Sequence, residues 1–186
     1  MVVRITAPIV LVERTIIDMS SLTLYPAIGD VPRPGYYHIY EKISGEQFRA
    51  LYTKKKGIHE YAGKYNHQIP DHYLMELDLR DIFKSLDCDF ATCFYIWRKE
   101  GTSENYYLFD IAIENKLLKP AELEKLFRKP QISNLVPLVD VRPIGFNSLI
   151  EYQEREVPPH VEGFIFKSAS YMFKLHTFDW LKKNYN

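Results

Sequence analysis

Apolar and aromatic positions fall in short runs along this chain, most too short for helices and bounded by glycine, proline or charge. Near the start, runs at residues 9–12 and 22–28 predict two short strands, or a strand and a turn. The turn-rich Gly29-Asp-Val-Pro-Arg-Pro-Gly35 then delivers the chain to a strand over residues 36–42. Residues 48–53 have strand composition and, with the preceding strand, predict a hairpin around Ser44-Gly45. Lys54-Lys55-Lys56-Gly57 reads as a basic turn. Residues 58–72 are polar, rich in Tyr and His and without a clear period, and read as a loop able to order on a ligand. Over residues 73–86, Met75, Leu79, Ile82, Phe83 and Leu86 fit a period of about 3.6 residues and predict a helix. Alternation of Met75, Leu77 and Leu79 with charged residues offers a strand leading into a short helix instead.

Farther on, residues 90–98 and 106–113 predict a strand pair joined by a turn over 99–105. The clearest helix covers residues 119–129: Pro120 suits its first turn, acids precede bases, and Leu123, Leu126 and Phe127 share a face. Residues 135–141 read as a strand. Asn147 or Ser148 is placed to cap a helix reaching Glu156, which Pro158-Pro159 ends. Val161–Lys167 and residues 171–175 read as the last strands, and Phe178–Tyr185 as a terminal helix. The pattern is α+β, dominated by antiparallel strands, and no repeat or linker divides it. One domain over residues 1–186 is therefore expected.

Composition narrows the function classes. Aromatics make up 15% of the 186 residues, with 14 Tyr and 11 Phe, which fits a β-rich core or a groove where rings stack on bases. The 24 basic residues balance 24 acidic ones, so nucleic acid could be held only by a local patch. Two cysteines, Cys88 and Cys93, do not make a secreted disulfide scaffold or a Cys-based zinc site. The six histidines lack ligand spacing, which removes a zinc centre from the expectations. The apolar run at residues 7–12, interrupted by Pro8, is too short for a signal peptide or a membrane span. The expectation is a soluble intracellular protein, cytoplasmic or nuclear, without a membrane partner.

Candidate chemistry centres on Tyr40-Glu-Lys-Ile-Ser-Gly-Glu-Gln-Phe-Arg49. Lys42 leaves an aromatic strand for a glycine-containing turn. Partly desolvated beside cations such as Arg49 and Lys54–Lys56, its amine is a nucleophile for phosphorus or carbonyl carbon. Three further features follow in order: Tyr106-Tyr-Leu-Phe-Asp-Ile111, an aromatic–acid pair on a strand; Val161-Glu-Gly-Phe-Ile-Phe-Lys167, a carboxylate and glycine opening a strand that closes on lysine; and Tyr171-Met-Phe-Lys-Leu-His176, with alternate bases on one face. Phosphoryl chemistry on a nucleotide needs these parts: a nucleophile, a ring for the base, a carboxylate for a divalent metal, and cations for the departing pyrophosphate.

Their order and spelling resemble the covalent nucleotidyltransferase superfamily of DNA ligases, RNA ligases and mRNA capping enzymes. Glu41-Lys-Ile-Ser-Gly-Glu-Gln-Phe48 looks most like the nucleophile motif of the phage and RNA-editing type of ATP-dependent RNA ligase. The resemblance spans roughly Tyr36 to His176. It implies an α+β nucleotidyltransferase core, ATP-grasp-like, of two antiparallel sheets with flanking helices and a nucleotide between them. It further implies that Lys42 forms lysyl-AMP, Gly45 and Glu41 sit against the nucleotide, Phe109 stacks on adenine, and Glu162 serves the metal and ribose. Lys167, Lys174 and His176 would lie near the phosphates, with Arg49 or the Lys54–Lys56 turn as the following basic motif. ATP and Mg²⁺ or Mn²⁺ are the implied cofactors, and RNA or DNA ends the implied partners, with a partner protein supplying RNA binding.

Three departures stand out. Ser44 takes the place of the usual Asp, although the RNA-editing type relaxes this position. Phe94-Tyr-Ile-Trp97 carries no glutamate where a central Gly-Glu is expected, leaving Glu76 or Glu100 as substitutes. His176 stands for the second lysine of the last motif. Two alternatives therefore stay open: an mRNA guanylyltransferase-like enzyme using GTP, and a degenerate module that binds nucleotide or RNA ends without covalent chemistry.

Overall fold

The computed structural model describes residues 11–12, 15–16, 25–53, 57–63, 88–128 and 135–185. A two-residue antiparallel ladder, β1 (Leu11–Val12) with β2 (Thr15–Ile16), opens the order. Then come β3 (Gly35–Ile43), β4 (Glu46–Thr53), β5 (Gly57–Gly63), β6 (Phe90–Glu100), β7 (Ser103–Ile113), β8 (Lys116–Leu117), α1 (Pro120–Phe127), β9 (Leu138–Ile144), α2 (Phe146–Gln153), β10 (Val161–Lys167), β11 (Met172–His176) and α3 (Phe178–Tyr185). Two antiparallel sheets carry the fold, one of four strands in the order β11-β10-β3-β9 and one of five in the order β5-β4-β6-β7-β8.

β3 shows how sequence sets the layers. Tyr37, Ile39 and Tyr40 are all buried, so this strand is covered on both faces. Tyr37 and Ile39 pack with Phe164, Phe166, Phe173 and the Leu149 and Tyr152 side chains of α2. Tyr40 and Ile43 join the opposite cluster, with Tyr95, Leu108, Ile111 and the Leu123 and Leu126 stripe of α1. The four-stranded sheet thus has α2 on one face and the five-stranded sheet toward the other.

Several elements differ from the sequence expectation. β3 and β4 do not form a hairpin: β3 pairs with β10 and β9, while β4 pairs with β5 and β6. Ser44-Gly45 is a corner between sheets, where the Ser44 amide donates to the His160 carbonyl. A strand pattern specifies a pleat but not the partner, and two strands around a short turn need not pair. Residues 57–63, expected as turn and loop, form the outer strand β5. Backbone pairing to β4 holds it there. The turn expected over 99–105 contracts to Gly101-Thr102, because polar ends of β6 and β7 stay paired to Glu100↔Ser103. α2 begins at Phe146 with Gly145 as its N-cap, makes no side-chain cap at Asn147 or Ser148, and ends at Gln153. The strand expected over 135–141 shifts to Leu138–Ile144, with Leu135 making an isolated bridge to Leu108. Residues 25–28 form no strand, and Gly29 bridges Phe173 beside β11. The segments at residues 54–56 and 73–86 lie outside the described residues.

Phe166 is fully buried, stacked on Phe173 at 4.5 Å and edge-on to Tyr152 at 5.2 Å. Phe166→Ala is expected to cost about 3–5 kcal/mol in urea unfolding. Ile150→Ala, on the exposed side of α2, is expected to stay within about 0.5 kcal/mol.

Candidate active site

Cross-strand pairing lines up three rows of residues on the inner face of the four-stranded sheet. Lys42, Gly163 and His176 form the first row, Tyr40, Ile165 and Lys174 the second, and His38, Lys167 and Met172 the third. Directly opposed residues share a face, so the pairing alone brings Lys42 and His176 to either side of one glycine. A methyl at Gly163 would overlap the Leu175 carbonyl and sit 2.7 Å from the His176 Cα, which fixes glycine there. Gly45, with φ +158°, is held the same way: a methyl would overlap the Trp97 carbonyl and lie 2.7 Å from Ile96 Cγ2.

Two β-bulges aim side chains that regular strands would turn elsewhere. Val161 pairs with Ile43 and Gly163 with Lys42, so Glu162 is an extra residue in β10. Its carboxylate Oε2 accepts a hydrogen bond from Lys42 Nζ and lies 4.0 Å from His176 Nε2. In β7, Leu108 pairs with Tyr95 and Asp110 with Phe94, leaving Phe109 as the extra residue. Glu162 and Phe109 line one pocket of about 230 Å³ between the sheets, together with Glu41, Lys42, Gly45 and Lys167. Tyr25, Tyr40, Ile96, Val136 and Ile165 supply most of the remaining wall, which is largely apolar.

The far end of the pocket is polar and dry. Lys167 Nζ donates to Asp110 Oδ2 at 2.5 Å, Tyr25 donates its hydroxyl to the same oxygen at 2.9 Å, and the Ile111 amide donates to Oδ1 at 2.9 Å. Asp110 is fully buried and Lys167 nearly so. Burial pushes the Asp110 carboxyl above its usual range, against the opposing pull of Lys167 and the hydrogen bonds. Burial also raises Glu41, with His160 pulling the other way. Burial, and then the neighbouring Lys42 charge, lower His176, so its imidazole is neutral at pH 7.

Of the residues singled out from sequence, Glu41, Lys42, Gly45, Phe109, Glu162 and Lys167 meet in this pocket. Lys174 and His176 stand beside it on β11, and Lys174 pairs with Asp30 at 3.2 Å. Arg49 is half-buried on β4 outside the lining. Glu100 does not enter the pocket either; it binds Arg98 Nε at 2.6 Å, and Arg98 reaches Ser44 Oγ. Lys54–Lys56 and Glu76 lie outside the described residues. Sequence reading assigned no role to Tyr25, Tyr40 or Arg98, and it marked Asp110 only as the acid beside Phe109. For Tyr40 a signal existed, since it alternates with Lys42 along one strand. For Tyr25 there was none, because nothing local brings that segment to β7.

Among the described residues no group of three or more His, Cys, Asp or Glu side chains could cage a metal ion. Glu162 with a neutral His176 nearby suits instead a cation that takes most of its oxygens from phosphate and water, as Mg²⁺ does. No helix among the described residues is long and apolar enough to cross a membrane.

No family model matches the chain, and no curated protein matches it in sequence. Solved structures do match. The Naegleria gruberi RNA ligase with PPi superposes with a TM-score of 0.65 at 16% identity, over 80% of this chain and 51% of the ligase. A variant of that ligase with ATP and Mn gives 0.64 at 16% identity, over 80% and 52%. Another with AMP and Mn gives 0.64 at 15% identity, with the same coverage. The chain spans about half the length of these ligase chains. At such identity the likeness is one of fold: the two antiparallel sheets and their helices share the architecture of that RNA ligase.

The two ion pairs of the pocket predict opposite mutational behaviour. Asp110→Ala strands the buried Lys167 charge and is expected to cost about 3–5 kcal/mol in chemical denaturation. Glu162→Ala breaks a pair that water still reaches, and is expected to cost about 1 kcal/mol or less. His176 predicts a pH dependence. The folded protein disfavours its charged form, so the unfolded chain binds more protons and stability falls as pH drops through the usual histidine range near about 6.5. In thermal melts between pH 7.5 and 5.5, about one unit on either side of that value, His176→Gln is expected to show a shallower fall than wild type.

Proposed function

We propose that this chain is an ATP-dependent, RNA-ligase-like nucleotidyltransferase that forms lysyl-AMP on Lys42 and joins 5′-phosphate to 3′-hydroxyl RNA ends. The observation that carries the reading is the contact between Lys42 and Glu162, 120 residues apart in sequence, at a pocket between two sheets. The shared fold with an RNA ligase solved with ATP, AMP and Mn supports it.

On this reading ATP enters with its base toward Phe109 and its α-phosphorus at Lys42. Glu162 Oε2, already in contact with Nζ, relays to solvent the proton that the ammonium must lose before it can attack, and is left as the carboxylate. The Nζ lone pair then forms a P–N bond as the bond from the α-phosphorus to the bridging oxygen breaks, and pyrophosphate leaves with that electron pair. Lys174, drawn from Asp30, supplies positive charge to the departing group, while the neutral His176 offers a hydrogen bond. A divalent cation, Mg²⁺ or Mn²⁺, held by Glu162 and the phosphates would offset the triphosphate charge. In the second step a 5′-phosphate oxygen attacks the adenylate phosphorus, the P–N bond breaks, and Lys42 recovers its proton. A 3′-hydroxyl then attacks the activated 5′-phosphate and releases AMP. RNA ends are the proposed substrate, with a partner protein supplying further RNA contact.

Ile96 favours a second reading, a nucleotide-binding module without covalent chemistry. It lines the pocket in the segment of β6 where the resemblance calls for a glutamate.

Incubation with α-phosphorus-labelled ATP or GTP and Mn²⁺, followed by a denaturing gel, separates these readings. ATP is expected to label the wild type and not Lys42→Ala. Label from GTP alone would turn the reading to capping chemistry, and no label on folded wild type would leave the binding module.

A further inference from the structure

His176 has no side chain opposite it on β10, because its cross-strand partner is Gly163. A histidine ring turns about its last side-chain bond over a broad range, so this imidazole needs another neighbour to fix its plane. α3 supplies one. Trp180 lies flat against the His176 ring, with centroids 4.0 Å apart and planes 14° from parallel.

The stack follows from how β11 passes into α3. Thr177 is buried, and its amide donates to the carbonyl of Glu162, the extra residue of β10, at 3.1 Å. Its hydroxyl accepts from the Trp180 amide at 3.4 Å and its carbonyl from the Leu181 amide at 3.0 Å, so Thr177 caps the helix. The helix then turns back over the end of β11, and its third residue is Trp180. Tyr185 packs edge-on against the same indole at 5.9 Å. None of the eight residues of α3 is buried, so the indole is seated on a ring beside the pocket and not in the core.

What the stack sets is a direction. His176 keeps 20% of its side chain exposed, and its Nε2 stands 4.0 Å from Glu162 Oε2, the oxygen that also meets Lys42. That distance is too long for a hydrogen bond, so Nε2 is open to a ligand seated beside Lys42. The lysine that the resemblance calls for here would need no such support, since an ammonium carries three rotatable donors.

Resting on the nucleotidyl-transfer reading above, we propose that Trp180 is a positioning residue, whose indole holds the His176 imidazole so that Nε2 donates a hydrogen bond to the departing pyrophosphate. That contact strengthens as charge builds on the leaving oxygen. Trp180 therefore acts on the rate of transfer and not on the binding of ATP.

The test is single-turnover labelling of the full chain from α-phosphorus-labelled ATP with Mn²⁺, read as a maximal rate constant and a half-saturating ATP concentration. Wild type is compared with Trp180→Phe, which keeps a flat ring, Trp180→Leu, which keeps apolar bulk without one, and His176→Ala. Each is assayed below the temperature at which its own melt begins. Trp180→Leu is expected to lower the maximal rate constant about tenfold and to leave half-saturation within about twofold of wild type. Trp180→Phe is expected to recover most of that loss. Added to His176→Ala, Trp180→Leu is expected to slow labelling no further, since no imidazole remains to be held. Three results overturn the proposal: a Leu variant as fast as the Phe variant, a loss confined to half-saturation, and a loss of equal size with and without the imidazole. The two readings fail differently. A wild type that takes no label removes the transfer reading and this proposal with it. A wild type that takes label and is matched by Trp180→Leu removes only the positioning role.

Discussion

Everything in the pocket depends on the chain changing sheets at Ser44-Gly45. Had β3 and β4 paired with each other, Lys42 would lie on the surface of one continuous sheet. Because they do not, β3 commits its edges to β10 and β9, β4 commits its own to β6 and β5, and a space opens between the two layers. The corner is tight: Gly45 lies against the Trp97 carbonyl, Ser44 hangs from the His160 carbonyl, and Arg98 holds the Ser44 hydroxyl. Lys42 therefore has a firm base on a doubly covered strand and its amine at the seam, against Glu162.

Two lysines project into this seam, and their surroundings divide the work between them. Lys167 meets a carboxylate that water does not reach, with Tyr25 and a backbone amide completing its shell. Such a pair is costly to break and poorly suited to exchange. Lys42 meets a carboxylate with side-chain exposure near one fifth on each partner, 22% and 19%. That pair can open to admit a ligand without unfolding its surroundings. The first pins the sheets together, and the second stays open to the pocket.

Much of this was legible in the residues. β6, β10, α1 and α3 follow from alternation, from Pro120 at a helix start and from short apolar runs, within a residue or two of their ends, and β7 within three. The spelling around Lys42, Phe109 and Glu162 marked three parts of the pocket. What stayed hidden had a common cause: period-2 patterns say which face a residue takes but are blind to partners. The missing β3–β4 hairpin is one case. β5 is another, since its residues are too polar to announce a strand that backbone pairing nevertheless secures. Tyr25 reaches Asp110 across 85 positions, and no local signal carries such a contact.

The bulges have a consequence for how such a protein drifts through sequence space. Glu162 and Phe109 stand outside the pairing that holds their sheets together, each an added link in an otherwise regular ladder. Removing either would leave alternation intact, so folding and chemistry answer to different positions. Substitutions elsewhere in the strands need only preserve a pleat and a volume. An architecture of this kind can be shared at 16% identity, because few of its residues are asked to serve both ends.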